Sequence, residues 1–255
     1  MIELQGIKKS FGEVEVIKGI STVFEKGKVN QIIGKSGSGK SVLTKCVIGL
    51  YAPTEGQVIF DGKDFSEMSP AERTDLRKNI GMLFQASALF DSMTVLENVM
   101  FPLEMFTDMA KSEMEDRAND CLRKVNIIDK GDLFPAETSG GMQKRIAIAR
   151  AIAMEPEYLF ADEPNSGLDP QTAIVIDNLI KDITYEYNTT TVVITHDMNS
   201  VIESADRIMF IHDGHKWWEG GRDALIATDN QELQDFVYAS KFMKELRTQL
   251  VNRHG

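Results

Sequence analysis

The sequence predicts an α/β fold, a mainly parallel sheet wrapped by helices, with antiparallel β-structure near both ends of the chain. Three observations carry this. Apolar runs such as VNQII, YLFAD and TVVIT alternate with helical stretches, the pattern of parallel strands joined by crossovers. The first 33 residues instead read as short strands, IELQGI, STVFE and VNQII, separated by Gly12-Glu13 and Lys26-Gly27 turns. Near the other end, RIMFIHDGHKWWEG reads as a hairpin.

Taken in order, a helix is predicted from Gly39 to about Leu50, then a strand GQVIF closed by Asp61-Gly62. A strand IGMLF precedes an apolar-rich stretch, SALFDSMTVLENVMFPLEMF. Residues 110–125 are predicted helical, with Met114, Ala118, Cys121, Leu122 and Val125 on one face. A further helix opens on Thr138-Ser139-Gly140-Gly141, its apolar positions Met142, Ile146, Ala149 and Ala153 keeping helical spacing. Strand YLFAD, helix 170–186, strand TVVIT, a short helix from Met198 and strand RIMFI follow, and residues 222–250 read as a charged helical tail.

Composition bounds the function. At 255 residues, 42% of them hydrophobic, the chain can bury one large domain or two small ones. A formal net charge of −11 argues against a nucleic-acid binder, which needs a basic face to neutralise phosphates. Cys46 and Cys121 lie far apart in apolar helical patterns, which reads as buried thiols in a reducing compartment. The start, MIELQGIKKSFG, has no apolar signal region and no run approaches a membrane span, so a cytoplasmic location is expected.

The strongest motif is GKSGSGKS, comprising Gly34, Lys35, Ser36, Gly37, Ser38, Gly39, Lys40 and Ser41, directly after strand VNQII and opening a helix. Its glycines let backbone N–H groups wrap phosphates, Lys40 can reach the outer phosphates, and the Ser41 hydroxyl can ligate Mg²⁺. YLFADE then supplies Asp162 at a strand end for the metal's hydration shell, with Glu163 behind it to polarise water. Alone, the two carboxylates would merely end a strand; beside a phosphate loop they read as functional. TVVITHD ends a second buried strand on His196, where a γ-phosphate sensor would sit. The helix opening on Ser139-Gly140-Gly141 offers a second anion-binding start. Asp169-Pro170 is also an ordinary N-cap with a first-turn proline, and Phe11 could be a core aromatic. His212, His215, Trp217 and Trp218 read as hairpin packing and surface.

GKSGSGKS, TSGGM, YLFADEP, NSGLD and TH stand in the order and spacing of ATP-binding cassette ATPases, and the chain resembles that family over residues 1–222, leaving 223–255 as the tail. The resemblance implies a P-loop cassette with a RecA-like core, an antiparallel β subdomain and a helical subdomain near residues 86–152. It implies Mg²⁺-dependent ATP hydrolysis, Phe11 stacked on adenine, Gln85 as the glutamine that contacts Mg²⁺, Ser139 to Met142 as the signature motif and Ser166 to Asp169 as the D-loop. In this family two cassettes pair head to tail, ATP lying between the phosphate loop of one and the signature helix of the other. One chain therefore carries both half-sites, and neither half-site alone is a complete enzyme. One departure stands out: Thr138 replaces the usual signature leucine and Met142 the usual glutamine, while the backbone donors and Ser139 remain.

The bare single cassette resembles transporter ATPases more than the soluble translation or repair members. The stretch ASALFDSMTVLENVMFPLEMF and the motif SGGM resemble the phospholipid-transport branch that maintains outer-membrane lipid asymmetry, and related Mce-type systems. That implies a membrane permease and an Mce-domain lipid carrier as partners, with the chain peripheral on the inner or plasma membrane's cytoplasmic face. An amino-acid or other solute importer is the alternative. The permease contact is expected behind Gln85, between Leu89 and Leu103, where Phe90, Met93, Val95 and Leu96 would receive a short helix.

Overall fold

A computed structural model describes residues 1–238. It divides into two compact units, one formed by residues 1–67 and 194 onward, the other by residues 68–193.

The first unit opens with β1 (Ile2–Phe11) and β2 (Val14–Phe24), an antiparallel pair whose alternation buries Ile2, Leu4, Ile17, Ile20 and Phe24. β3 (Lys28–Ile33) is buried on both faces, Asn30 and Gln31 included, and leads through the glycine loop into α1 (Lys40–Val47). β4 (Glu55–Phe60) and β5 (Lys63–Asp64) complete a four-stranded antiparallel sheet in the order β2-β1-β4-β5. The antiparallel prediction holds for β1 and β2, with strands longer than read from sequence, but not for VNQII: β3 leaves that sheet and pairs parallel with residues Arg207–Phe210.

The second unit begins with α2 (Pro70–Lys78), a helix the sequence reading did not assign. Ser69 and Glu72 form a reciprocal capping box at its start. β6 (Ile80–Leu83) follows, then a bent loop, then α3 (Val95–Phe106), which was read only as an apolar stretch. Thr94 and Glu97 make a second capping box. The fully buried Asn98 side chain fixes the loop before it, accepting from Phe90 N at 2.8 Å and donating to the carbonyls of Phe90, Met93 and Thr94 at 2.9–3.1 Å. α4 (Lys111–Lys124) buries Ala118, Cys121 and Leu122, with Val125 buried just past its end, as predicted. α5 (Gly140–Ile152), β7 (Tyr158–Asp162), α6 (Pro170–Tyr187) and β8 (Thr190–Ile194) follow in the predicted order. β7 lies between β6 and β8 and runs parallel to β6, with Leu83 opposite Ala161.

Returning to the first unit, α7 (Met198–Ser204) leads into β9 (Arg207–His212), parallel to β3, and β10 (His215–Gly220), antiparallel to β9. The predicted charged helical tail is helical at α8 (Arg222–Ala227) and α9 (Gln231–Val237), and it packs inward. Leu225, Leu233, Val237 and Tyr238 are buried with Val201, Ile208 and Phe210, so this stretch belongs to the unit's core. The remainder of the predicted tail, 239–255, lies outside the described residues. Both cysteines are buried and free, and burial pushes the Cys46 thiol up to about 11. No helix among the described residues is long and apolar enough to cross a membrane.

Candidate functional site

The first unit brings together the glycine loop, His196 and Phe11's aromatic corner. β3 ends at Ile33, and the chain wraps through residues 34–39 before α1 begins. Gly34 has φ 151°, and a Cβ there would lie 2.3 Å from the Ile211 carbonyl oxygen and 2.8 Å from Ser38 Oγ. Gly39, the residue that opens α1, has φ 106°. Any side chain at either point would fill the loop or strain it. Lys40 is buried, and its ammonium donates to the carbonyls of Gly34 at 2.7 Å and Lys35 at 3.0 Å. Lys35, Ser36, Gly37 and Ser41 are exposed around it. Ser38 Oγ is buried with no hydrogen-bond partner among the described residues. A loop too close for a Cβ, holding an unused hydroxyl beside a buried ammonium, fits a phosphate chain.

His196 follows Thr195, whose N–H donates to Ile32 O at 3.2 Å, so residue 196 comes next to the end of β3 from which the loop departs. Asp197 then caps α7 through Asn199 N. Phe11 is 45% exposed. Its ring meets Tyr51 edge-on at 5.4 Å between centroids, and the Lys9 ammonium lies 5.0 Å from its centre. An exposed ring with an aromatic and a cation behind it suits stacking on a flat base. Tyr51 was not singled out in the sequence.

The second unit gathers the other candidates. Asp162 closes β7, and Glu163 takes φ 47°, a left-handed conformation uncommon for a non-glycine residue and one that marks functional turns. The chain then turns through Ser166 to Asp169, which caps α6. Gln85, just past β6, donates from Nε2 to Ser166 Oγ at 3.2 Å, joining two segments 81 residues apart. The Gln85 carbonyl accepts from the Lys144 ammonium. Lys144 is buried in α5; burial pushes its pKa down, while the charges of Asp162 and Glu163 act in the opposite sense. Beyond it Ser87 and Ala88 are both left-handed, φ 61° and 49°, and Arg150 donates to both of their carbonyls at 2.9 and 2.8 Å. In the sequence Lys144 and Arg150 are polar positions between the apolar ones of α5. No local signal shows which face of α5 meets the 85–88 loop.

At the start of α5, Ser139 is the N-cap, its Oγ accepting from Met142 N at 3.3 Å. Helix geometry leaves the N–H groups of Gly140 and Gly141 without acceptors in their own helix. Serine and both glycines are accessible, and Asp169 is exposed. The expected apolar docking groove is displaced from its predicted lining. Val95 and Leu103 are buried in the unit's own core. A cavity of about 470 Å³ keeps Phe90 of the predicted lining and is otherwise lined by Phe84, Phe101, Pro102 and Phe106, with Arg77 and Arg150 among its polar groups.

A protein-family profile described as ABC transporter matches residues 17–166. The methionine import ATP-binding protein MetN of Desulfitobacterium hafniense is 36% identical over 98% of this chain and 75% of its own length. The "Probable ribonucleotide transport ATP-binding protein mkl" of Mycobacterium tuberculosis is also 36% identical, over 92% of this chain and 66% of its own length. The L-cystine import ATP-binding protein TcyC of Bacillus subtilis is 40% identical over 91% of this chain and 95% of its own length. Among solved structures, a dimer of the ATP-binding cassette MJ0796 in a post-hydrolysis state bound to ADP and Pi superposes with a TM-score of 0.78. Its sequence is 34% identical, covering 87% of this chain and 99% of that one.

Proposed function

The chain belongs to the ABC transporter family and is the Mg²⁺-dependent ATPase subunit of such a transporter, and from that premise we propose how its residues divide the work and what it moves. Gly34 to Ser41 hold the triphosphate, with Lys40 released from its loop carbonyls onto the outer phosphates. Phe11 stacks on adenine. Ser41, Gln85 and Asp162 would hold Mg²⁺, which when bound neutralises charge shared by the outer phosphates. Glu163 takes a proton from water as its oxygen attacks the γ-phosphorus. The bond from γ-phosphorus to the bridging oxygen breaks, and ADP leaves with the electron pair. His196 donates a hydrogen bond to the γ-phosphate. Ser139, Gly140, Gly141 and Asp169 face the nucleotide held by a second copy, so two chains close head to tail around two ATP molecules. The observation that carries this division is the loop itself, a cradle closed to any Cβ at Gly34.

For the cargo, the reading we propose is phospholipid, passed through a membrane permease with an Mce-domain carrier, the ATPase lying on the cytoplasmic face. Its support is the resemblance of residues 86–106 and of the SGGM signature to that branch. An amino-acid importer is the second reading, favoured by relatives named for methionine and cystine import. Two relatives of equal identity bear the names of methionine and ribonucleotide transport, so identity at this level does not assign a cargo. The deciding experiment is mild extraction of the chain from its native membrane, followed by identification of bound proteins and lipids. A multi-span permease with an Mce-domain protein and phospholipid supports the first reading. An amino-acid permease supports the second. A ribosome or DNA-repair complex would refute both while leaving the ATPase standing.

A further inference from the structure

Asp169 and the signature helix meet within the second unit through one side chain. Asp169 Oδ1 accepts from the N–H groups of Gln171 at 3.1 Å and Thr172 at 3.0 Å, and its Oδ2 accepts from the Thr172 hydroxyl at 2.5 Å. These bonds, the Thr172 hydroxyl foremost, hold the carboxyl below its ordinary pKa. A β-branched side chain has one χ1 setting that satisfies such a bond, so the hydroxyl dictates where the methyl goes. It goes to α5. A Cβ built on Gly141 would lie 2.7 Å from Thr172 Cγ2.

The two signature glycines differ at this point. Gly140 would meet only Leu168 Cδ2, at 4.0 Å, an ordinary contact. Neither glycine has a positive φ, so the backbone demands glycine at neither position. At Gly141 the requirement is space. Two moves alone relieve a methyl there: turning Thr172, which breaks its bond to Asp169, or parting α5 from α6.

We propose that Thr172 is a positioning residue that seats Gly141 with its methyl and holds Asp169 with its hydroxyl, so that the signature start and the residue-169 turn face a second copy's nucleotide as one body. The proposal rests on the dimeric ATPase reading and adds to it a residue that touches no nucleotide. It makes Gly141 and Thr172 energetically coupled, and leaves Gly140 uncoupled from Thr172.

The test is a double-mutant cycle in the assembled transporter, measuring kcat and KM for ATP, with ATP affinity and melting temperature measured on the isolated chain. Gly141→Ala should lower kcat by ~10²-fold, the scale of a 1 Å misplacement, with ATP affinity of the isolated chain retained. Thr172→Ser removes the methyl and keeps the hydroxyl. Adding it to Gly141→Ala should restore kcat to within ~2-fold of Thr172→Ser alone. Thr172→Ser should give no such rescue of Gly140→Ala. Independent, multiplying effects of Gly141→Ala and Thr172→Ser would overturn the proposal, as would a Gly141→Ala enzyme of normal kcat. Where Gly141→Ala does not fold, a folded double variant supports the seat and an unfolded one refutes it. An inactive wild-type complex would instead refute the ATPase reading, and the same cycle read in melting temperature would still decide the contact.

Discussion

Two helices in this chain begin on glycine and serine, and they are built by opposite means. Before α1 the backbone is unusual: Gly34 and Gly39 lie at positive φ, and a buried lysine at the first helical position closes the loop from inside. Before α5 the backbone is ordinary, a serine side chain supplies the cap, and Gly141 is small because of a neighbouring side chain. The first arrangement has the shape to enclose a phosphate chain from several sides. The second is a flat, accessible start that can be complementary only to a group brought by another body. The same two residue types therefore mean a cage in one place and a docking face in the other, and substitutions should separate them.

The largest expected effect separates binding from turnover. Glu163→Gln should lower ATP turnover by ~10²–10⁴-fold, the usual scale for loss of a general base, while ATP affinity stays at the wild-type value. Steady-state hydrolysis beside equilibrium nucleotide binding checks this, and near-normal turnover would remove Glu163 from its role. Next comes the cage. Gly34→Ala should weaken ATP binding by up to ~10²-fold, because its Cβ collides with a backbone carbonyl that cannot turn away. Calorimetry on the isolated chain measures it, and unchanged affinity would dissolve the distinction between the two helix starts.

The docking face should respond more mildly. Ser139→Ala removes the cap of α5, worth about 1 kcal/mol of helix stability, and should reduce turnover of the assembled complex while sparing ATP affinity of the isolated chain. Met142→Gln should change turnover least, by ~2-fold, on the proposal that the main chain and Ser139 supply the anion contacts. A large gain from glutamine would show that the face depends on side chains after all.

What the sequence announced and what it concealed follow the same division. The glycine loop, Asp162-Glu163, His196 and the SGG start were legible because each is a local pattern with its own backbone logic. α2 and α3 were legible in principle, through Ser69-x-x-Glu72 and Thr94-x-x-Glu97, but the dense apolar run after Gln85 hid the second signal. The docking groove was misplaced because hydropathy does not tell a residue that lines a cavity from one that fills the core: Val95 is fully buried and Phe106 is half exposed. Tyr51, Lys144, Arg150 and Thr172 had no signature at all. Each acts through a tertiary contact, and only the packed chain says which neighbour it meets.

The bend at Ser87 and Ala88 has a mechanical consequence. Two consecutive left-handed residues store of the order of 1–3 kcal/mol each when not glycine, and the Arg150 guanidinium grips both of their carbonyls. Lys144, six residues earlier on the same helix, grips the carbonyl of Gln85. The bend is thus a wound spring clamped at two points by one stiff rod, and the rod's other end carries Ser139, Gly140 and Gly141, the residues we propose face a second copy. Arg150 also lines the aromatic cavity beside Phe90, so one helix ties that cavity and the bend to the Ser139 start.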